Sequence, residues 1–189
     1  MAFEDFKSKE SVIVVYTGDG KGKTSASIGL TARALGTGWK VAYVQFIKYW
    51  DVGEHQFFSD IAEIYTENFA FYKGGLGFYD AGDLSASDTT ELEHIRAATK
   101  TYEFAQASVS SGDYRLVVCD EINNAAHDGL LPPGALQQLI TSKHPATSLC
   151  LTGRNFPDSL LPVVDIATDM SKLAHHFDQK FLANKGIDY

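Results

Sequence analysis

The apolar run Val12-Ile13-Val14-Val15-Tyr16 leads directly into Thr17-Gly18-Asp19-Gly20-Lys21-Gly22-Lys23-Thr24, and an amphipathic stretch follows. Strand, glycine-rich turn, then Lys-Thr at the start of a helix is the layout of a phosphate-binding loop. Glycines let backbone N–H groups turn inward toward phosphate oxygens, and the helix N-terminus behind them adds partial positive charge. In this reading Gly18, Asp19, Gly20, Lys21, Gly22, Lys23, Thr24 and Ser25 surround the phosphates of a nucleotide. Lys23 contacts phosphate and the Thr24 hydroxyl holds magnesium. The common form, G-x-x-x-x-G-K-[ST], has glycine where this chain has Thr17. The plainer alternative is a glycine-rich turn in an ordinary α/β domain.

Composition narrows the function classes. With 189 residues and 44% hydrophobic content, the chain is expected to be one globular domain spanning residues 1–189. A net charge of −8 argues against nucleic acid as a partner, which wants a basic face. A nucleotide site needs only local charge. No apolar run approaches the roughly 18 residues of a membrane span. Met1 to Glu10 is polar and mixed in charge, without the pattern of a signal peptide, so the cytoplasm is expected. Cys119 and Cys150 both sit inside apolar runs and read as buried thiols.

Apolar runs alternate with helix-like stretches along the chain, which predicts a mostly parallel sheet flanked by helices: an α/β, P-loop NTPase-like (RecA-like) fold. Residues 11–17 form the first strand and 22–36 the first helix, ended near Gly36 and Gly38. Strands are expected at 41–47, 63–66, 115–119, 148–152 and 163–168. A short helix is expected at 55–60 and a long one at 87–110, with cap-like residues at Ser87-Asp88-Thr89-Thr90-Glu91. Another helix opens at Pro132-Pro133 and runs to about Ser142. Residues 67–86 read as a loop rich in glycine and aromatics.

Leu116-Val117-Val118-Cys119 ends in two carboxylates, Asp120 and Glu121. In phosphate-loop proteins such a strand is expected beside the first one, with its terminal acid aimed at the magnesium near Thr24. A hydroxyl and a carboxylate are the hard oxygen ligands that magnesium takes. The alternative is that both acids cap the next helix, 122–127. Three basic residues stand where ligands collect: Arg33 up the first helix, Lys48 after the second strand and Arg154 after the strand at 148–152. Each reads equally well as a surface charge or a ligand contact.

Taken in order, these residues resemble a known family. Tyr16 through Ala26, Arg33-Ala34-Leu35-Gly36, Val44-Gln45-Phe46-Ile47-Lys48 and Gly53-Glu54 are similar to the CobA/BtuR-type ATP:corrinoid adenosyltransferases. So are Val117 through Asn123, Leu151-Thr152-Gly153-Arg154, His176-Phe177-Asp178 and Lys185-Gly186-Ile187-Asp188-Tyr189. The resemblance implies ATP and a corrinoid as substrates, magnesium as cofactor, a homodimer and a flavoprotein reductase as a partner. It implies that cobalt(I) of the corrinoid attacks the 5′ carbon of ATP and that triphosphate leaves. It places ATP on Gly18 to Ser25 in reversed orientation, with Arg33 at the γ-phosphate and Lys48, Glu54 and Arg154 around the nucleotide. Thr24 with Glu121 would hold magnesium, with Asp120 in support. Phe78, Tyr79, Asp80 and His176 would meet the corrinoid.

One departure stands out. The family has Gly-Phe-Thr-Trp where this chain reads Gly77-Phe78-Tyr79-Asp80. A carboxylate at position 80 cannot act as the apolar wedge that tryptophan supplies. Phe69, Phe71, Tyr72 and Tyr79 are aromatic neighbours that could substitute, or could simply fasten the loop. Two other readings of the chain remain open: a phosphate-loop NTPase or kinase of another reaction class, and a module that binds ATP or a corrinoid without transfer.

Overall fold

A computed structural model describes residues 6–48, 52–77 and 90–189. Six strands, β1 (Ile13–Thr17), β2 (Val41–Gln45), β3 (Phe69–Lys73), β4 (Leu116–Asp120), β5 (Ser148–Thr152) and β6 (Ile166–Asp169), form one sheet in the order β3-β2-β4-β5-β1-β6. Every pairing is parallel. The helices are α1 (Lys23–Gly36), α2 (Gly53–Ile64), α3 (Glu91–Ser111), α4 (Ile122–His127) and α5 (Ala135–Ser142).

The central strands are near-continuous apolar runs because both of their faces are covered. Every residue of β2, β4 and β5 is buried. Successive side chains point to opposite faces, so each strand feeds two cores. Val15, Ala42, Val44, Val117, Cys119 and Leu151 pack with α3, α4 and α5 through Tyr102, Ala105, Ile122 and Leu139. Val14, Tyr43, Val118 and Cys150 pack with α1 and α2 through Ala34, Leu35 and Phe58. Cys119 and Cys150 are buried free thiols, as read from the sequence, and burial pushes both well above the ordinary thiol range.

α3 begins with a reciprocal cap. Thr90 Oγ1 accepts from the Glu93 N–H at 3.3 Å, and the Glu93 carboxylate accepts from the Thr90 N–H at 2.8 Å. The helix ends on Gly112 in the left-handed region, at φ 78°.

Three expectations are corrected. The strand expected at 63–66 does not form: α2 continues to Ile64, and the third strand is Phe69–Lys73, inside the stretch read as a loop. Ile64, Tyr65 and Thr66 are residues that favour β structure. The helical face Phe58, Ile61, Ala62 and Tyr65 packs onto the sheet and overrides that local preference. The acid-bearing strand β4 does not lie beside β1 either, since β5 is inserted between them. Pro132 and Pro133 precede the fifth helix rather than opening it: they form a turn closed by Ala135 N–H to the Pro132 carbonyl at 3.1 Å, and α5 starts at Ala135.

Candidate functional site

The carboxyl ends of β1, β2, β4 and β5 deliver their following residues to one edge of the sheet, where ligands collect in open α/β folds. A cleft of about 700 Å³ opens there. Asp19 to Ser25, Lys48, Glu54, Glu121 and Arg154 all line it. Residues far apart in sequence are thus gathered by strand order.

The loop between β1 and α1 is built from both sides. Gly22 opens α1 at φ 114°, a conformation that side chains resist. Lys23 is buried and folds back so that its ammonium donates to the carbonyls of Gly18 at 2.7 Å and Gly20 at 2.8 Å. Burial lowers its pKa, against the opposing pull of Glu121. The backbone after β6 braces the loop: Met170 N–H donates to the Thr17 carbonyl at 2.8 Å, and Gly20 N–H donates to the Met170 carbonyl at 2.6 Å. Gly20 therefore lines the cleft with its N–H already committed. Gly18 does not line the cleft, but its carbonyl accepts from Lys23, which does.

Asp120 is fully buried at the end of β4. One oxygen accepts from Thr152 Oγ1 at 2.7 Å; the other accepts from Gln45 Nε2 at 3.1 Å and Thr24 Oγ1 at 3.3 Å. The carboxylate, not a helix cap, is thus the partner of the loop threonine across the intervening strand. Glu121 follows in the left-handed region at φ 62°, its N–H held by Thr152 Oγ1 at 2.9 Å. For a residue other than glycine this conformation is strained, and such strain concentrates at functional sites. Burial first, and then the charge of Asp120, push the Glu121 carboxyl up to about 7.

Lys48 sits among these oxygens. Its ammonium donates to Glu54 Oε1 at 2.6 Å and to Thr24 Oγ1 at 3.2 Å, and lies 3.9 Å from Asp120. Burial alone would lower its pKa, but Asp120 and Glu54 reverse that and the value is raised. The oxygens of Thr24 and Asp120 therefore already gather around a positive charge, and with the Glu121 carboxylate on the same cleft their hard-donor chemistry fits magnesium. Among the described residues no group of three or more His, Cys, Asp or Glu forms a metal cage. That is compatible with magnesium, which takes one or two carboxylates and fills its octahedron with phosphate oxygens and water.

Some expected residues lie elsewhere. Arg33 is exposed in the last turn of α1, about 15 Å of helix beyond Lys23, and is not part of the cleft wall. Placing it at a terminal phosphate is not supported by its position. His176 is not itself a lining residue, but its Nε2 lies 3.5 Å from Asp188, which lines the cleft as does its neighbour His175. Phe78, Tyr79 and Asp80 lie outside the described residues. Arg154 stands at the rim, exposed, 3.7 Å from Asp19.

The structure also supplies residues without an assigned role in the sequence reading. Gln45 and Thr152 hold Asp120, as described. Asn124 Oδ1 accepts from the Arg154 N–H at 2.6 Å. Residues 186–189 form one wall, where Asp188 bonds Lys21 of the loop at 2.9 Å. The sequence signals were the runs around Asn123, Gly153 and Asp188, which carry resemblance but not contact.

A parallel sheet with a glycine-rich loop between β1 and α1, and an acid-bearing strand reaching the loop threonine, defines an α/β protein of the P-loop NTPase-like class. More narrowly, the chain belongs to the ATP:corrinoid adenosyltransferase family: the family model described as ATP:corrinoid adenosyltransferase BtuR/CobO/CobP matches residues 9–189. It is 31% identical over 185 residues to a corrinoid adenosyltransferase of Pseudomonas aeruginosa, an alignment covering 97% of this chain and 86% of that protein. It is 29% identical to a corrinoid adenosyltransferase of Escherichia coli, covering 97% of this chain and 88% of the relative. The corrinoid adenosyltransferase CobA of Salmonella typhimurium is 27% identical with the same coverage, 97% and 88%.

Proposed function

We propose that this protein transfers the 5′-deoxyadenosyl group of ATP to cobalt(I) of a corrinoid and releases triphosphate. The cobalt(I) electron pair attacks the C5′ carbon, a cobalt–carbon bond forms, and the C5′–O bond breaks with its electron pair leaving on triphosphate. The substrate is itself the nucleophile, so the protein's work is to place C5′ and cobalt in line and to stabilise charge on the leaving group. The observation that carries the reading is the meeting of Lys48, Thr24 and the buried Asp120 at a cleft that Lys23 also lines and that is large enough for a nucleotide, in a chain of this family.

Gly18 to Ser25 would cradle the triphosphate, with Lys23 exchanging its loop carbonyls for phosphate oxygens. Lys48, oriented by Glu54, would add a second positive charge, and Arg154 a third at the rim. Thr24, Asp120 and Glu121 would hold magnesium, which when bound neutralises charge on the triphosphate. Arg33 is given no contact. The segment Phe78-Tyr79-Asp80 and the wall near His175 and His176 would face the corrinoid. We read residues 1–189 as one such domain acting in the cytoplasm; no helix among the described residues is long and apolar enough to cross a membrane. A flavoprotein reductase would supply the electron that makes cobalt(I). A homodimer is supported by the exposed edge strand β6, which carries the exposed Ile166, and by the exposed Leu161 and Val163 that precede it in the chain.

The test mixes the protein with magnesium-ATP and chemically reduced cobalt(I) cobalamin and follows adenosylcobalamin spectroscopically, with triphosphate identified as co-product. Conversion by the wild type and its loss in Lys23→Ala are expected. Release of inorganic phosphate without corrinoid, or ATP binding with no conversion, would overturn the proposal.

A further inference from the structure

Asp120 is held on one side by an amide whose two ends are chemically different but nearly the same in shape. Gln45, fully buried at the end of β2, presents Nε2 to Asp120 at 3.1 Å and Oε1 to His55 Nε2 at 2.7 Å. His55, buried in the first turn of α2, has its other ring nitrogen, Nδ1, 3.4 Å from the Val52 backbone N–H and 3.2 Å from Lys73 Nζ.

The direction of each bond follows from the next. An ionised carboxylate only accepts, so Gln45 must turn its NH₂ toward Asp120. Its oxygen then faces His55 and needs a donor, so His55 must carry its proton on Nε2. Nδ1 is left to accept, and the Val52 N–H and the Lys73 ammonium, which lie within reach of it, are donors. The chain Lys73/Val52 to His55 to Gln45 to Asp120 is therefore polarised in one sense. Without His55 the Gln45 amide could flip and turn its oxygen against the carboxylate, and the Asp120 oxygen directed at Thr24 would lose one of its two hydrogen-bond donors.

We propose that His55 is a positioning residue for Asp120, acting through Gln45: it fixes the amide orientation that aims the carboxylate at the Thr24 hydroxyl and so at the cation held there. This rests on the reading that Thr24 and Asp120 hold magnesium. Groups that orient a metal-binding carboxylate or histidine from behind typically govern about 10- to 100-fold in metal affinity. The ring also packs 5.9 Å from Phe71, so a purely structural role would be preserved by another aromatic.

Two measurements on the full chain test it. The first is the magnesium concentration giving half-maximal binding of a fluorescent ATP analogue, alongside binding of the analogue without metal. His55→Phe is expected to raise that concentration about tenfold or more and leave metal-free binding unchanged. His55→Gln, which restores a donor toward Gln45, should recover most of the loss. Thermal melts establish that both variants fold; should His55→Phe not fold, Gln45→Leu makes the same cut in the chain of bonds. A wild type indifferent to magnesium would overturn the magnesium site and this inference with it. A magnesium-dependent wild type with an unchanged requirement in the folded variant would overturn this inference alone. The second measurement is long-range ¹H–¹⁵N NMR of the His55 ring in the nucleotide-free protein, which involves no turnover. The neutral form with hydrogen on Nε2 is expected, and hydrogen on Nδ1 alone would refute the relay.

Discussion

Glu121 offers the sharpest test of how the site is charged. Its carboxyl is half-buried beside Asp120 and is held near pH 7 rather than at the ordinary 4.5, because burial and a neighbouring negative charge both disfavour ionisation. At about 1.4 kcal/mol per pH unit, the ionised form costs the fold about 3 kcal/mol at pH 8. The sign follows from linkage. A carboxyl whose folded pKa is raised leaves the protein most stable below 4.5, where it is protonated in both states. Stability falls as pH rises toward 7 and is flat above it. Glu121→Gln keeps the shape and removes the charge, and its backbone N–H still reaches Thr152. The variant is therefore expected to be more stable than wild type by about 3 kcal/mol at pH 8, a rise in melting temperature of roughly 5–10 °C. The gain should shrink to below about 1 kcal/mol by pH 5. The same variant should lose magnesium-dependent ATP binding, since the charge held at this cost is the one proposed to face the cation. Paired calorimetric melts at pH 8 and pH 5 decide the matter. A variant no more stable at pH 8, or a gain equal at both pH values, would show that Glu121 is not a strained charge.

Two further perturbations probe the frame around it. Thr152→Val keeps the side-chain volume but deprives Asp120 of a donor and the half-buried Glu121 N–H of its acceptor. At about 1–3 kcal/mol per unsatisfied group, urea unfolding should show a loss of roughly 3 kcal/mol, and a change under about 0.5 kcal/mol would contradict the bonding described. Gly20→Ala would drive a methyl group into the Met170 carbonyl oxygen and to 2.9 Å from the Ser171 backbone, none of which can rotate away. It should lower the melting temperature and weaken nucleotide binding, whereas Gly29→Ala, with nothing within 4 Å and an exposed helical position, should stabilise by about 0.5–1 kcal/mol. If the two alanines behave alike, the bracing of the loop by residues 170–171 is not what constrains position 20.

Much of the architecture is carried by local signals. The apolar runs at 12–16 and 116–119 are strands wherever they are buried, and Gly18 to Thr24 turns a strand into a helix by backbone conformation alone. Thr90 and Glu93 cap α3 through contacts three residues apart. Such features depend on near neighbours in the chain, and a sequence displays them. The third strand was not legible, because whether Phe69-Ala70-Phe71 is strand or loop depends on β2 being alongside to pair with it. Nor was the place of β4 in the sheet: strand order follows from how the connecting helices pack, and no short run of residues encodes it.

The site divides along the same line. Lys23, Thr24, Asp120 and Glu121 were visible because phosphate and hard cations demand those side chains after those strands. That Thr24 meets Asp120, that Lys48 reaches both with Glu54 beside it, and that Arg33 does not line the cleft depended on the sheet and on the course of α1. The partners of Asp120 were hidden most completely. Gln45 and Thr152, and His55 behind Gln45, lie 75, 32 and 65 positions from it in the chain, and the runs that contain Gln45 and Thr152 carry resemblance but not this contact. A buried carboxylate takes its donors from whichever elements the fold brings within about 3 Å, so only the tertiary structure could name them.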